Sequence, residues 1–312
     1  MAVKFFQHFI DYFEAVNTLN RMVDFGFIQV SNCPICTSPN RHKIGLRGDR
    51  PISDLPKQKS LSSSDLILSI WDCKDCHHIY VDPCPSEKKL FELYEQQSGV
   101  YFEHLHSADL KGFLGLLNEN SDTKGKLLDI GCGNGRILEA AIGWMSVGIE
   151  PVASFAANAS RFGKVYPSLN EVSGTFDAIS IMAVLEHVVD PLLVLRKAFA
   201  VAKPGSLLII EVPNGHRFDA WILDLMLRIS GRPWTVRTAP LQTPFHLSEF
   251  SKKSLTLAVE SAGWKVEKAW TIRGKMDYPI PRLVNLIFNL TQRLGSRFGW
   301  GLNLTMLARK PL

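Results

Sequence analysis

The spacing of apolar and polar positions changes character several times along the chain. Residues 1–27, "MAVKFFQHFIDYFEAVNTLNRMVDFGF", are amphipathic, and the pattern predicts a helical segment over residues 1–30. Residues 31–85 lack a sustained period and carry five of the six cysteines. Over 86–121, "SEKKLFELYEQQ" opens with a Ser cap and repeats apolar side chains at helical spacing (Leu90, Leu93, Tyr94), which predicts connecting helices. From residue 122 short apolar runs alternate with helical patterns. The runs "KLLDI", "SVGIE", "FDAISIM", "SLLIIEV", "WKVEKAW" and "LNLTMLA" read as strands. The alternation is that of an α/β layer, a mostly parallel sheet with helices on both faces. Two stretches interrupt it, near 214–245 and 274–300. In the second, Leu283, Leu286, Ile287, Leu290 and Leu294 form an apolar stripe, and Arg282, Asn285, Asn289, Gln292 and Ser296 a polar one.

Composition narrows the class. The 312 residues suffice for one large or two modest domains, and 46% apolar with 21% charged residues is the balance of a soluble globular chain. No run reaches the 18 uninterrupted apolar residues of a membrane span, and the acids of the amphipathic N-terminus argue against a signal peptide. The expected setting is cytoplasmic. The net charge of +5 is uneven: residues 271–312 hold seven Lys/Arg against one acid, Asp277.

Four cysteines fall in two C-x2-C pairs, Cys33/Cys36 in "NCPIC" and Cys73/Cys76 in "WDCKDC". Each pair can wrap a tetrahedral ion from a tight turn, which predicts a structural zinc ribbon over residues 31–85. Disulfides are the competing reading, disfavoured without a secretion signal. Four thiolates close the coordination shell, so zinc here is scaffolding. His42, His77 and His78 are expected at the surface, and Cys84 as a free thiol.

The stretch "LLDIGCGNGR" places Gly131, Gly133 and Gly135 after an apolar run that carries Asp129. A nicotinamide or flavin fingerprint needs G-x-G-x-x-G, but position 136 is Arg; a phosphate loop needs Gly-Lys-Ser/Thr, which does not follow. Glu150 ends the next strand, where a carboxylate can accept from both hydroxyls of a ribose. A tight turn without a pyrophosphate cradle suits a nucleoside whose charged part is an amino acid and a sulfonium.

With "VGIEP", "FDAISIMAVLEHVVDP" and "LRKAFAVAKPGSLLIIEVPN" following in order, residues 122–312 resemble a class I S-adenosylmethionine (SAM)-dependent methyltransferase. The whole chain is similar to zinc-ribbon-bearing bacterial methyltransferases that act on sugars and small molecules. The resemblance implies a Rossmann-like seven-stranded sheet with one antiparallel strand, "LNLTMLARK". It also implies that Asp129, Gly131, Gly133 and Gly135 line the methionine end of SAM, that Glu150 holds the ribose, and that Tyr101 closes over the cofactor. Asn158 and Asn170 are read as surface or turn residues.

Chemistry at an activated methyl is mostly approach geometry, so the open question is a base for the acceptor. Glu186 and His187 follow the fourth strand, and His246 in "TPFHLSEFS" precedes a helix. Either histidine can serve as the base; the plain alternatives are a loop brace and a helix cap. The two insertions fall where such enzymes build substrate pockets. The 280–296 stripe is read as packing on its own domain or a homodimer partner, or as a peripheral membrane contact near a small-molecule, glycan or lipid-like acceptor of O- or C-methylation. Two other classes are weighed: a nucleotide-cofactor (NAD/FAD) oxidoreductase, against which the glycine spacing speaks, and a zinc-ribbon nucleic-acid-binding protein, for which "RHKIGLRGDR" is the only basic run on the ribbon.

Overall fold

The computed structural model describes residues 26–49, 66–101, 110–121, 124–242, 244–273, 295 and 298–312. The expected N-terminal helix up to residue 25 and the stripe at 283–294 lie outside them. Thirteen strands and seven α-helices are described: β1 (Phe27–Ile28), β2 (Arg41–Gly48), β3 (Ile67–Cys73), β4 (Ile79–Asp82), β5 (Cys84–Pro85), α1 (Glu87–Tyr101), α2 (Leu110–Glu119), β6 (Lys126–Ile130), α3 (Arg136–Ala140), β7 (Met145–Ile149), α4 (Ala153–Ala159), β8 (Lys164–Tyr166), β9 (Phe176–Met182), α5 (Pro191–Val201), β10 (Ala202–Pro213), α6 (Phe218–Ile229), β11 (Ser248–Glu249), α7 (Lys252–Ser261), β12 (Lys265–Ile272) and β13 (Asn303–Arg309).

The large sheet has the order β12-β13-β10-β9-β6-β7-β8. β6, β7, β8, β9 and β10 run parallel, and β13 lies antiparallel between β10 and β12. Leu127, Leu128, Ile130, Ile179, Ile181, Leu208 and Ile210 are buried, which is why these central strands read as unbroken apolar runs. Six of the seven strands coincide with runs visible in the sequence. The seventh, β8, is a three-residue edge strand with an exposed start, too short to show a period.

The cysteine-bearing region forms a second sheet of order β11-β4-β3-β2. Its fourth strand comes from residues 248–249, more than 150 positions downstream of β4. On the opposite edge, Leu46 bridges Trp234, with Leu46 N–H donating to Pro233 O (2.9 Å) and Thr235 N–H to Leu46 O (3.2 Å). The first insertion is thus clasped by both edges of the ribbon. Cys33, Cys73, Cys76, Ile35 and Tyr80 pack into the same apolar cluster as the large sheet, while Phe27, Leu68, Ile70, Ile79, Val81 and Cys84 form a second cluster with Leu90, Leu241, Phe245 and Leu247. Residues 27–28, expected in the N-terminal helical segment, instead pair with β5 and close the ribbon.

Helix starts follow local chemistry. Asp190 accepts from Leu193 N–H (2.9 Å) and Pro191 occupies the first turn, which fixes the entry of α5 directly after the Glu186–His187 loop. Ser251 and Ser254 form a reciprocal capping box at α7. The same Ser251 hydroxyl donates to Cys76 O (2.7 Å), tying the helix start to the second cysteine knuckle.

Candidate functional site

The glycine turn joins β6 to α3, and each glycine meets something different. A Cβ on Gly131 would collide with Val184 Cγ2, and one on Gly135 would approach Ala159 Cα to 2.7 Å. Those two are held by internal packing. Gly133, at φ 50°, has nothing within 4 Å of the same position, so the turn presents bare backbone to open space there.

Glu150 stands beside that opening. Its Oε2 accepts from Gly133 N–H (3.0 Å) and its Oε1 from Val152 N–H (2.9 Å). The carboxyl group is buried, and burial raises its pKa. A carboxylate offers about four acceptor positions, and two are filled, leaving room for a diol. Gly131 and Cys132 N–H both donate to Ile149 O (2.8 and 3.0 Å), locking the turn against the end of β7. The residues therefore fit a nucleoside bearing a ribose, with bare backbone for a close neighbour.

Asp129 is placed differently from Glu150. It is buried between β6 and β9, with Oδ1 accepting from Ser180 Oγ (2.7 Å). Desolvation pushes its carboxyl up to about 7. Its visible contact is beneath the turn. Asn158 and Asn170 are exposed, Asn158 donating to Asn134 Oδ1 (3.2 Å). The side chain of Tyr101 lies outside the described residues.

The two histidines come together through backbone. Leu247 N–H (2.8 Å) and Ser248 N–H (3.3 Å) both donate to the carbonyl of Glu186. This lays the 245–248 segment along the loop after β9. The rings of His187 and His246 are 4.7 Å apart between centroids, near perpendicular at 69°. Ala183 and Phe245 adopt left-handed φ of 54° and 60°, so both loops hold a non-glycine residue in a costly conformation next to this pair. Glu186 is fully buried; its Oε1 lies 3.7 Å from His187 Nε2, and neither carboxylate oxygen has a hydrogen-bond partner among the described residues. Burial pushes it up to about 8. Burial likewise drives His187 well below its ordinary value, with His246 adding to the effect, and takes His246 down to about 3. Both rings are neutral at physiological pH.

Sequence reasoning missed Tyr94 here. Its hydroxyl sits 2.9 Å from His187 Nδ1, while its ring packs edge-on to Phe245. Helical spacing marked Tyr94 only as part of an apolar face, and no local pattern links positions 93 residues apart.

In the ribbon, Cys33 and Cys76 Sγ are 3.5 Å apart, as are Cys36 and Cys73. All four sulfurs lie within 4.8 Å of one another. Zinc–sulfur bonds of about 2.3 Å in a tetrahedron give sulfur–sulfur edges of roughly 3.8 Å, so the donor set fits such an ion. The six cysteines are free thiols. Cys84 is buried and pushed up to about 12, an unreactive position. His42 and His77 are exposed as expected, but His78 is not. It is fully buried 4.6 Å from Phe250, and burial lowers it to about 3. The correction has a simple cause: β4 is enclosed between β3 and β11, so its flanking ring is covered.

A cavity of about 410 Å³ opens past the C-terminal end of β10. Gly215, His216 and the α6 residues Phe218, Trp221 and Leu225 form one side, and His42, Ile44, Asp72 and Ile79 of the ribbon the other. In open α/β sheets ligands bind at this end of the strands.

A family model described as "Methyltransferase domain" matches residues 101–269. A ubiquinone biosynthesis O-methyltransferase of Vibrio parahaemolyticus is 34% identical over 95 residues, covering 26% of this chain and 40% of that protein. A protein of the same name from Xanthomonas campestris is 30% identical over 154 residues, covering 45% of this chain and 59% of its own length. The chain thus spans about half the length of these curated relatives. A solved SAM-dependent methyltransferase from Archaeoglobus fulgidus superposes with a TM-score of 0.46 at 20% identity, covering 70% of this chain and 99% of that one.

Proposed function

The chain belongs to the methyltransferase-domain family, whose members are SAM-dependent enzymes, and on that premise we propose that it methylates a hydroxyl of a small, largely apolar acceptor. The observation that carries this reading is the pairing of Glu150 with Gly133: a buried carboxylate with spare acceptor positions beside a backbone surface that no side chain covers. When bound, SAM supplies a methyl group on a sulfonium, an electrophile that already has its leaving group. The chain's own task is to hold reactants in line and to take one proton.

Glu150 accepts from the ribose hydroxyls, and the Gly131–Gly135 turn offers backbone to the rest of the nucleoside; Asp129 braces the turn from below through Ser180. His187 shares a hydrogen bond with the Tyr94 hydroxyl through Nδ1, and the backbone of Pro244 and Phe245 also acts on its ring; in this reading Nδ1 accepts. It therefore orients the loop, and His246 beside it receives the acceptor's hydroxyl proton on its neutral imidazole. The positive charge formed there favours ionisation of Glu186, which lies close to both rings and is otherwise held protonated by burial. O-methylation of a ring carrying an apolar substituent is supported by the names of the relatives and by the aromatic and aliphatic lining of the cavity.

Cys33, Cys36, Cys73 and Cys76 hold a structural zinc ion in this reading, and through Cys76 and Ser251 it steadies the start of α7 and the β11 segment that follows His246. The test is calorimetry with SAM followed by turnover of phenols bearing apolar substituents of increasing length. Absence of SAM binding removes the reading; product methylated on carbon corrects the reaction class.

A further inference from the structure

Helix α6 carries its charges in an uneven way. Its acids are both buried: Asp219 lies 3.6 Å from Arg217, and Asp224 accepts from Thr235 Oγ1, Val236 N–H and Arg237 Nε (2.8, 2.8 and 3.0 Å). Its last-turn cation, Arg228, is exposed. Its outward apolar side chains are exposed as well: Ile229 by 79%, Met226 by 61% and Trp221 by 56%. Across from them Phe298 is 71% exposed.

These are not scattered single residues. Trp221 stacks on Phe218 (5.9 Å, 21°), Phe218 on Trp300 (5.7 Å, 16°), and Trp300 meets Phe298 at 6.0 Å. One continuous aromatic band thus joins α6 to the segment before β13. Phe218, Trp221 and Trp300 of this band, with Arg228, also line the cavity past β10. A contiguous exposed apolar surface of this kind marks an interaction site.

We propose that this face docks on an anionic lipid bilayer, with the cavity opening toward the bilayer so that an apolar acceptor enters from it. Charge selects the occupant: the helix exposes the cation Arg228 and hides both of its acids. Tryptophans at the border of an apolar patch suit the headgroup region, where one side of the ring is wet. No described helix is long and apolar enough to cross a membrane, so the contact is peripheral. As a route for the acceptor this deepens the methyl-transfer reading and rests on it. Docking itself is measured without SAM or acceptor, so the two fail separately.

The experiment is co-sedimentation of the full chain with vesicles of phosphatidylcholine alone and of phosphatidylcholine mixed with phosphatidylglycerol, with SAM affinity measured in parallel. The wild type partitions onto the mixed vesicles, and added salt weakens it. The combined variant Trp221→Ser/Met226→Ser/Ile229→Ser loses roughly tenfold or more of that partition while keeping SAM affinity. Arg228→Glu lowers partition onto the anionic vesicles only, and decides the matter should the triple variant fail to fold. Absence of partition by the wild type, or partition unchanged in both variants, overturns the proposal. So does concentration-dependent self-association, seen by light scattering, that the triple variant abolishes, since a second copy then covers the face.

Discussion

The Tyr94 hydroxyl lies 2.9 Å from Nδ1 of His187, so helix α1, 93 residues away in sequence, holds a ring in the site. In the proposed reading Nδ1 accepts from Tyr94, Nε2 carries the proton, and the base is His246. His246→Asn is therefore expected to lower turnover by about 10²-fold or more with SAM binding intact, the usual cost of losing a general base. Tyr94→Phe is expected to cost less in turnover and to shift its pH profile, because the ring can then change tautomer. Equal, wild-type turnover of His246→Asn and His187→Asn across the neutral range would leave positioning as the whole mechanism.

Glu150→Ala should weaken SAM binding by roughly 1–3 kcal/mol, the loss of hydrogen bonds to a charged acceptor. Part of that loss is indirect, since the same carboxylate also holds the Gly133 and Val152 amides. Gly133→Val should be more severe: the space that opens at its Cβ position is the space the ligand needs, and φ 50° strains a branched residue. Calorimetry of both variants reads this. Unchanged affinity in Glu150→Ala removes the residue from the ribose site.

The parts of the candidate site that the sequence proposes rest on local signals. Glycine spacing, the acid ending β7 and the two C-x2-C knuckles each depend on residues within a few positions of one another. What was illegible depends on partners distant in sequence. Strand β11 joins the ribbon only in three dimensions, so nothing in "HLSEF" announced that His246 would lie against His187. The same closure buries His78, which its polar neighbours made look exposed. Asp129 and Glu150 were both read as ligand-facing acids; what strand register adds is the Ser180 hydroxyl on Asp129 and the Gly133 amide on Glu150.

One zinc ion per chain is expected on Cys33, Cys36, Cys73 and Cys76. Elemental analysis of protein purified without oxygen or chelator checks it. Because the cysteines share the apolar cluster of the large sheet and Cys76 O receives the Ser251 hydroxyl, Cys73→Ser or chelation should destabilise the whole chain and not the ribbon alone. The expected result is one cooperative transition that moves down in temperature. Two separate transitions, with only the first sensitive to chelator, would show that the ribbon folds independently.

Stability should fall as pH rises from 7 to 8, and Glu186 should be the cause. Its carboxyl titrates near 4.5 when exposed but is pushed up to about 8 by burial in the fold. Between those values the folded state holds a proton that the unfolded state has released. Stability therefore decreases with rising pH through that window and levels off above it. Asp129, pushed up to about 7, acts in the same direction; it is half titrated at pH 7 and its contribution fades toward pH 8. His78 and His246, both lowered to about 3, act oppositely: their contribution is complete above about 6.5 and is lost as the solution is acidified toward 3. Between pH 7 and 8 Glu186 is the larger of the two carboxyl contributions, and its variant separates it from that of Asp129. Thermal unfolding of wild type should show a declining midpoint across it, and Glu186→Gln, which cannot ionise, should flatten the slope whatever its absolute midpoint. An identical slope in the variant would mean that Glu186 is already ionised near neutrality, with water or a cation supplying the partner that neither oxygen finds among the described residues.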